Sequence, residues 1–219
     1  YDRVVHNVAI LCPRRLGLSR ETTESMFAML QQAQHAIMTG FGRSDRHYGG
    51  EERQQRNVLP LMGVGQGNGA GPAIWVAIST VLLQVMEDEG FGAKFRSAIT
   101  NTPCSLVGYA FVDDTDLVHC ANSMETQTED MIHQYQAAVD HWQGLLEATG
   151  GAIEPAKSFY YMIDFKWTGT VWRYRTTEEA VGTLSIRNPH TGLEELLERL
   201  EPHVARKSLG MMIAMDGNQ

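Results

Sequence analysis

Cysteine is scarce in this chain: Cys12, Cys104 and Cys120 are the only three among 219 residues. An odd count with no paired metal-ligand spacing argues for reduced thiols and against a disulfide scaffold or a zinc site. Long hydrophobic runs are missing as well. The most apolar stretch, 73–86, is broken by Ser79, Thr80 and Gln84. No segment therefore qualifies as a signal peptide or a membrane span, and we expect an intracellular protein, of cytoplasm or nucleus, with no membrane partner. Positive charge is short too. The net charge is −8, divided as +2 over residues 1–60, −9 over 61–152 and −1 over 153–219. Nucleic-acid binding is driven largely by neutralising phosphate, so the acidic middle of the chain suits a metal site better than a phosphate cradle. Two familiar nucleotide loops are also absent. The glycines at 63, 65, 67, 69 and 71 are followed by no Lys-Ser or Lys-Thr, which excludes a mononucleotide P-loop, and their spacing never gives Gly-x-Gly-x-x-Gly.

What is present centres on Phe111-Val112-Asp113-Asp114, two adjacent aspartates between the apolar run 106–112 and Leu117-Val118. Flanking apolar runs and polar residues at the join predict a β-hairpin with the carboxylates at its tip. Adjacent carboxylates repel at neutral pH, so a bound divalent cation is a natural compensator. Asp is also a common turn residue for local reasons, and an Asp-Asp turn alone is usually only a turn. Around this centre, Ser19 is a plausible N-cap for a helix to about Met38, with Met26, Phe27, Leu30, Ala33 and Ile37 on its buried face. Residues 39–48 read as a poor strand and 49–57 as a polar loop with Arg53 and Arg56 solvated. The glycine loop lets the backbone approach another molecule closely, and Pro72 suits the first turn of a helix ending near Gly90. Asn122 with Glu125 suggests a cap for a helix burying Met131, Tyr135, Ala138, Trp142 and Leu145 and stopping at Gly150-Gly151. His133 and His141, eight residues apart on that helix, are too distant to share a metal and read as surface histidines. Residues 159–174 alternate as a strand pair with a turn near Gly169, and 193–200 read as a charged helix.

The order of five short segments resembles the palm of reverse transcriptases, most closely the non-LTR retrotransposon kind. Tyr1-Asp2-Arg3 is similar to the end of that family's first palm motif. Gly63-Val64-Gly65-Gln66-Gly67 with Gly71-Pro72 resembles the second, and residues 109–117 (YAFVDDTDL) the third. Residues 150–157 (GGAIEPAK) resemble the fourth, and Ser208-Leu209-Gly210 with Asp216-Gly217 the fifth. Three positions depart from the family pattern: Gly65 stands where Arg is usual, Gly71 where Ser is usual, and Glu154 where Asn is frequent.

The resemblance implies an α+β polymerase palm, an antiparallel sheet with helices packed on one face, over residues 1–165, with a palm-to-thumb connection over 166–219. It implies an RNA-directed DNA polymerase, a nucleotidyltransferase of a retroelement, acting on an RNA template, a DNA primer and deoxynucleoside triphosphates with Mg²⁺, Mn²⁺ being an alternative. Asp113 would be the principal metal ligand, with Asp114 a weaker one and Asp116 a residue of the departing strand. Tyr1 would be the aromatic gate against a ribose 2′-hydroxyl, Gln66 and Gly67 would touch the nascent base pair, and Lys157 would be catalytic, approaching the triphosphate and protonating the departing pyrophosphate. On this alignment the first motif's metal-binding Asp lies five residues before Tyr1. Asp2 cannot replace it, because it would point to the other face of a strand. The chain is therefore expected to be a fragment of a longer polyprotein and inactive by itself. The alternative is a non-catalytic nucleic-acid-binding or assembly module derived from such an enzyme.

Overall fold

The structure is a computed structural model that describes residues 3–49, 63–65, 68–121, 123, 125–180, 182–208 and 211–217. It is mixed α+β, and its chain divides into two compact units, residues 1–82 with 147–151, and residues 83–146 with 152–219.

In the first unit two short helices, α1 (His6–Ala9) and α2 (Leu11–Arg15), lead into α3 (Arg20–Gln32). The Ser19 hydroxyl caps α3 by accepting from the Thr22 N–H at 3.1 Å, and Thr23 and Phe27 are buried on its inner face. The helix stops at Gln32, short of the Met38 expected from its apolar spacing. Ala33 turns extended (ψ 135), and β1 (Gln34–Thr39) pairs antiparallel with β2 (Gly42–Gly49). Local chemistry decides this: the Thr39 hydroxyl accepts from the Phe41 N–H at 3.2 Å to close the turn, and the Ser44 hydroxyl accepts from the Ile37 N–H at 3.0 Å. Ile37 and Thr39 are β-branched residues that suit a strand better than a helix end. Ile37 is consequently exposed rather than part of a buried stripe. The expected polar loop with Arg53 and Arg56 lies outside the described residues. Helix α4 (Gly71–Asp88) follows the glycine loop as its Pro72 start predicts.

The second unit carries β3 (Ala93–Arg96) paired with β4 (Pro103–Leu106), then β5 (Gly108–Phe111) paired with β6 (Asp114–Leu117). Helix α5 (Thr128–Ala148) runs next. It begins later than a cap at residue 122 would place it, and Asn122 is outside the described residues. Its buried face is Ile132, Ala138, Val139, Trp142, Gln143 and Leu146, one position displaced in places from the expected set. Two glutamines tie α5 to a later strand, residues 185–187. Gln136 and Gln143 each bridge the N–H and C=O of one backbone position, Ser185 and Arg187, at 2.7–3.0 Å. The core beneath holds Ile132, Val139, Tyr160, Met162, Ala180, Leu184 and Ile186.

Strand β7 (Phe159–Tyr161) precedes the hairpin of β8 (Phe165–Trp167) and β9 (Trp172–Tyr174), as the aromatic alternation and Gly169 predict. The expected charged helix over 193–200 is not a helix. The chain forms β10 (Ser185–Arg187) paired with β11 (Glu194–Leu196), followed by β12 (Glu198–Leu200), which pairs parallel with β7. The Asn188 side chain accepts from the N–H groups of His190 and Thr191 at 2.7 and 3.2 Å, reversing the chain before the leucines. Pairing with the buried Ile186 strand then overrides the helical spacing of Leu193, Leu196, Leu197 and Leu200. Strands β13 (Arg206–Ser208) and β14 (Met211–Ile213) close the described chain. Among the described residues every sheet is two-stranded, and all but the β7–β12 pair are antiparallel. No helix among them is long and apolar enough to cross a membrane.

Candidate functional site: an acidic hairpin

The strands β5 and β6 pair in the register Phe111↔Asp114 and Tyr109↔Asp116, so the turn has two residues, Val112 and Asp113. Asp113 therefore sits at the tip and Asp114 begins the return strand. Asp113, Asp114 and Asp116 are all exposed. Two-residue hairpin turns favour Gly, Asn or Asp at positions of positive φ. Here the first turn residue is valine with φ 58. A β-branched residue in the left-handed region costs on the order of 1–3 kcal/mol and survives only where the surroundings impose it.

Directly opposed residues share a face, so Tyr109, Phe111, Asp114 and Asp116 form one exposed side of the hairpin. Gly108 permits the close strand approach beneath it, since a Cβ there would lie 2.3 Å from the Asp116 carbonyl oxygen. Although Asp116 as a whole is exposed, partial desolvation of its carboxyl, and after it the neighbouring Asp114, raise it above the usual carboxylate range. Asp116 is thus part of the acidic face rather than only a residue of the departing strand. The alternation of Asp114 and Asp116 in the sequence carries that signal.

Behind the hairpin, Tyr135 of α5 is pushed up to about 12, first by burial and then by Asp116 and Tyr160. Its ring stacks on His119 with centroids 6.0 Å apart and meets Tyr160 edge-on at 6.3 Å. The segment that leaves the hairpin is thereby seated on the helix by an aromatic column that sequence patterning alone does not single out.

Lys157 ends a 3₁₀ turn, Pro155–Lys157, whose fold is set by its own N–H donating to the Glu154 carbonyl at 3.1 Å. Its side chain is exposed, and no hydrogen bond or ion pair joins it to Asp113 or Asp114. Gln66, Gly67 and Tyr1 lie outside the described residues, as do Leu209 and Gly210. In the first unit, what is described of the glycine loop is pinned to the segment after Arg3. The Gly63 N–H donates to the Val4 carbonyl at 2.8 Å, and the Gly63 carbonyl accepts from the His6 ring at 2.6 Å. Gly65 has φ 71, a conformation that the bulkier residue usual in the resembled motif adopts at a cost.

No family model and no curated protein matches this chain. The site is accordingly read on its own chemistry. Among the described residues no three His, Cys, Asp or Glu side chains converge as a ready metal cage. Mg²⁺, however, keeps several waters and is commonly held by one or two carboxylates together with substrate phosphates. The adjacent, exposed carboxylates of Asp113 and Asp114 are hard oxygen donors of the type and number such an ion takes. His133 is exposed on α5, whereas His141 is half-buried against Phe91 at 5.4 Å, so only the first is a surface histidine.

Proposed function

We propose that the chain belongs to an RNA-directed DNA polymerase of the retroelement kind, with residues 1–165 its palm and 166–219 the connection towards a thumb. The observation that carries this reading is the hairpin turn itself: Asp113 at a strained two-residue tip, Asp114 beside it, on short strands of mixed apolar and acidic residues. Strain retained at a tip that points carboxylates into solvent is a signature of a site rather than of packing.

The reaction is nucleotidyl transfer. A bond forms between the primer 3′ oxygen and the α-phosphorus of a deoxynucleoside triphosphate, the α–β anhydride bond breaks, and pyrophosphate leaves with the primer proton passing to solvent or a base. Mg²⁺ or Mn²⁺, when bound, supplies charge neutralisation of the triphosphate and activation of the hydroxyl. Asp113 and Asp114 would hold the ion, Lys157 would offer its ammonium to the triphosphate, Gln66 and Gly67 would touch the base pair, and Tyr1 would screen the sugar. The partners are an RNA template, a DNA primer and further domains of a longer polyprotein.

The test is divalent-dependent extension of a primed RNA template by a longer chain that includes the residue five positions before Tyr1, beside the 219-residue chain. Extension by the longer chain, abolished by Asp113→Ala, supports the reading. Without the upstream ligand the rate should fall by a factor on the order of 10³ or more. Inactivity of both chains favours the non-catalytic nucleic-acid-binding or assembly module.

A further inference from the structure

His6 is a buried histidine to which the polymerase reading gives no role. It opens α1, is 6% exposed, and sets its ring edge-on to Phe27 of α3 with centroids 5.4 Å apart. Its Nε2 lies 2.6 Å from the carbonyl oxygen of Gly63, 57 residues later in the chain. A carbonyl only accepts, so Nε2 carries the proton and Nδ1 is left as a bare acceptor. Nδ1 is buried without a hydrogen-bond partner. A phenylalanine would fill the same space beside Phe27 without leaving an unpaired buried nitrogen. The bond to Gly63 is thus what a histidine contributes at this position.

Gly63 gives both of its backbone groups to the same short segment. Its N–H donates to the Val4 carbonyl at 2.8 Å, its carbonyl takes the His6 proton, and its φ of 87° is a conformation natural to glycine. That segment also holds the chain that leaves α5. The Val5 N–H donates to the Thr149 carbonyl at 2.9 Å, and a Cβ on Gly150 would lie 2.0 Å from the Arg3 carbonyl oxygen, so only glycine fits there. Parts of the segments that resemble the first, second and fourth palm motifs therefore meet at residues 3–6. Among these bonds only the His6 bond is made by a side chain, and it alone can be removed by substitution.

We propose that His6 is a positioning residue that latches the glycine loop to the segment after Tyr1 and thereby sets discrimination between deoxyribose and ribose. This consequence rests on the polymerase reading; the latch itself does not. Tyr1 stands three residues before Val4, and Gln66 three residues after Gly63. Three residues of chain span at most about 10 Å. The group that would screen the sugar and the group that would touch the base thus hang from one clamp. A ring excludes a 2′-hydroxyl only while the base is held so that the sugar faces it. A shift of about 1 Å in such a placement is enough to cost a large factor in rate. His6 acts here through Gly63 and touches no nucleotide.

The test has two arms. In the 219-residue chain, hydrogen exchange is followed at residues 63–65 and 68–71, with the amides of α5 as internal reference. His6→Phe keeps the bulk and the contact with Phe27 but donates nothing, and loop exchange should quicken on the order of tenfold. His6→Gln, whose amide N–H reaches the same carbonyl, should restore the slow exchange. In the longer chain, the ratio of kcat/KM for deoxynucleoside over ribonucleoside triphosphates should fall on the order of tenfold in His6→Phe and recover in His6→Gln. A purely structural loss lowers both nucleotides alike and leaves the ratio unchanged. Should His6→Phe not fold, His6→Asn, whose amide stops short of Gly63, takes its place. Unchanged loop exchange in the folded variant, or an unchanged ratio in an active one, overturns the proposal and leaves the polymerase reading standing. Inactivity of the unsubstituted longer chain overturns that reading, and the discriminating role with it.

Discussion

The acidic hairpin β5–β6 and the aromatic hairpin β8–β9 are built alike and stabilised differently. Both are short antiparallel pairs with one bare face. In β8–β9 local rules are obeyed: Gly169 takes the positive-φ turn position, the Thr168 N–H and hydroxyl both donate to the Val171 carbonyl at 3.0 and 2.9 Å, and cations on the polar face share Glu179. In β5–β6 a valine sits where glycine belongs, and no described ion pair offsets the three aspartates. One hairpin is held by its own chemistry, the other by what lies behind it. The turns also differ in length, residues 112–113 in one and 168–171 in the other, and the tighter turn is the one that forces a positive φ on valine.

The comparison is broken most severely at glycine. Gly108→Ala places a Cβ against the Asp116 carbonyl, a backbone atom that cannot rotate away, and should destabilise by about 3 kcal/mol or more. Gly169→Ala meets no atom within 4 Å and suffers only from its φ of 96°, costing about 1–2 kcal/mol. Urea midpoints of the two variants measure the difference, and equal midpoints would show that the acidic hairpin has slack between its strands.

Alkaline titration comes next in size. Tyr135 is neutral in the fold up to about 12, while an unfolded tyrosine ionises near 10. The unfolded state therefore releases its proton first as pH rises. The stabilisation is complete below pH 10 and is lost between pH 10 and 12, amounting to about 2–3 kcal/mol. Tyr135→Phe should flatten that slope, seen in urea midpoints across the range and in the loss of the latest phenolate absorbance step.

At the tip, Val112→Gly relieves a left-handed valine but frees the unfolded chain, so a net gain of up to about 1 kcal/mol is expected. If polymerase activity is found in the longer chain, this variant should also lower it by loosening Asp113, separating strain that serves the site from strain that merely persists. A midpoint that falls would mean the valine packs as well as strains.

The smallest effect belongs to Glu179. Its carboxyl lies well below the usual range because the Arg173 guanidinium holds it, with the Thr176 N–H and Lys166 adding to that. A depressed acid contributes above its unfolded pKa, near 4.3, and loses that contribution as pH falls. Glu179→Gln should slightly lower the melting temperature at neutral pH and remove part of the acid-side slope, with salt narrowing the gap. Unchanged melting would leave the aromatic pairs as sufficient support for that hairpin.

Much of this was legible from residue order. The Ser19 cap, the Pro72 helix start, the acidic hairpin and the aromatic hairpin follow from turn chemistry and alternation, because each is decided within a few residues. The leucines at 193, 196, 197 and 200 misled, since their helical spacing competes with a partner strand reached only through the Asn188 turn. Helix α3 was overextended for a similar reason: Ile37 fits a helical stripe until the Thr39 turn returns β2 against it. At the site, the tip position of Asp113 was readable, whereas the stacking of His119 on Tyr135, with Asp116 near enough to act on that phenol, depends on how the chain after the tip lies on α5, which no local pattern encodes.

The parallel pairing of β7 with β12 has a consequence for synthesis. Parallel neighbours cannot be joined by a tight turn, and residues 162–197 lie between these two. Hairpins such as β8–β9 and β10–β11 close within microseconds from neighbouring residues. As the chain emerges from the ribosome they are complete while Phe159-Tyr160-Tyr161 still presents an unpaired aromatic edge. The Tyr161 hydroxyl must wait longer still, for the carbonyls of Val204 and Ile213. Until residue 200 and its neighbours arrive, this edge stays open to pairing with another nascent chain.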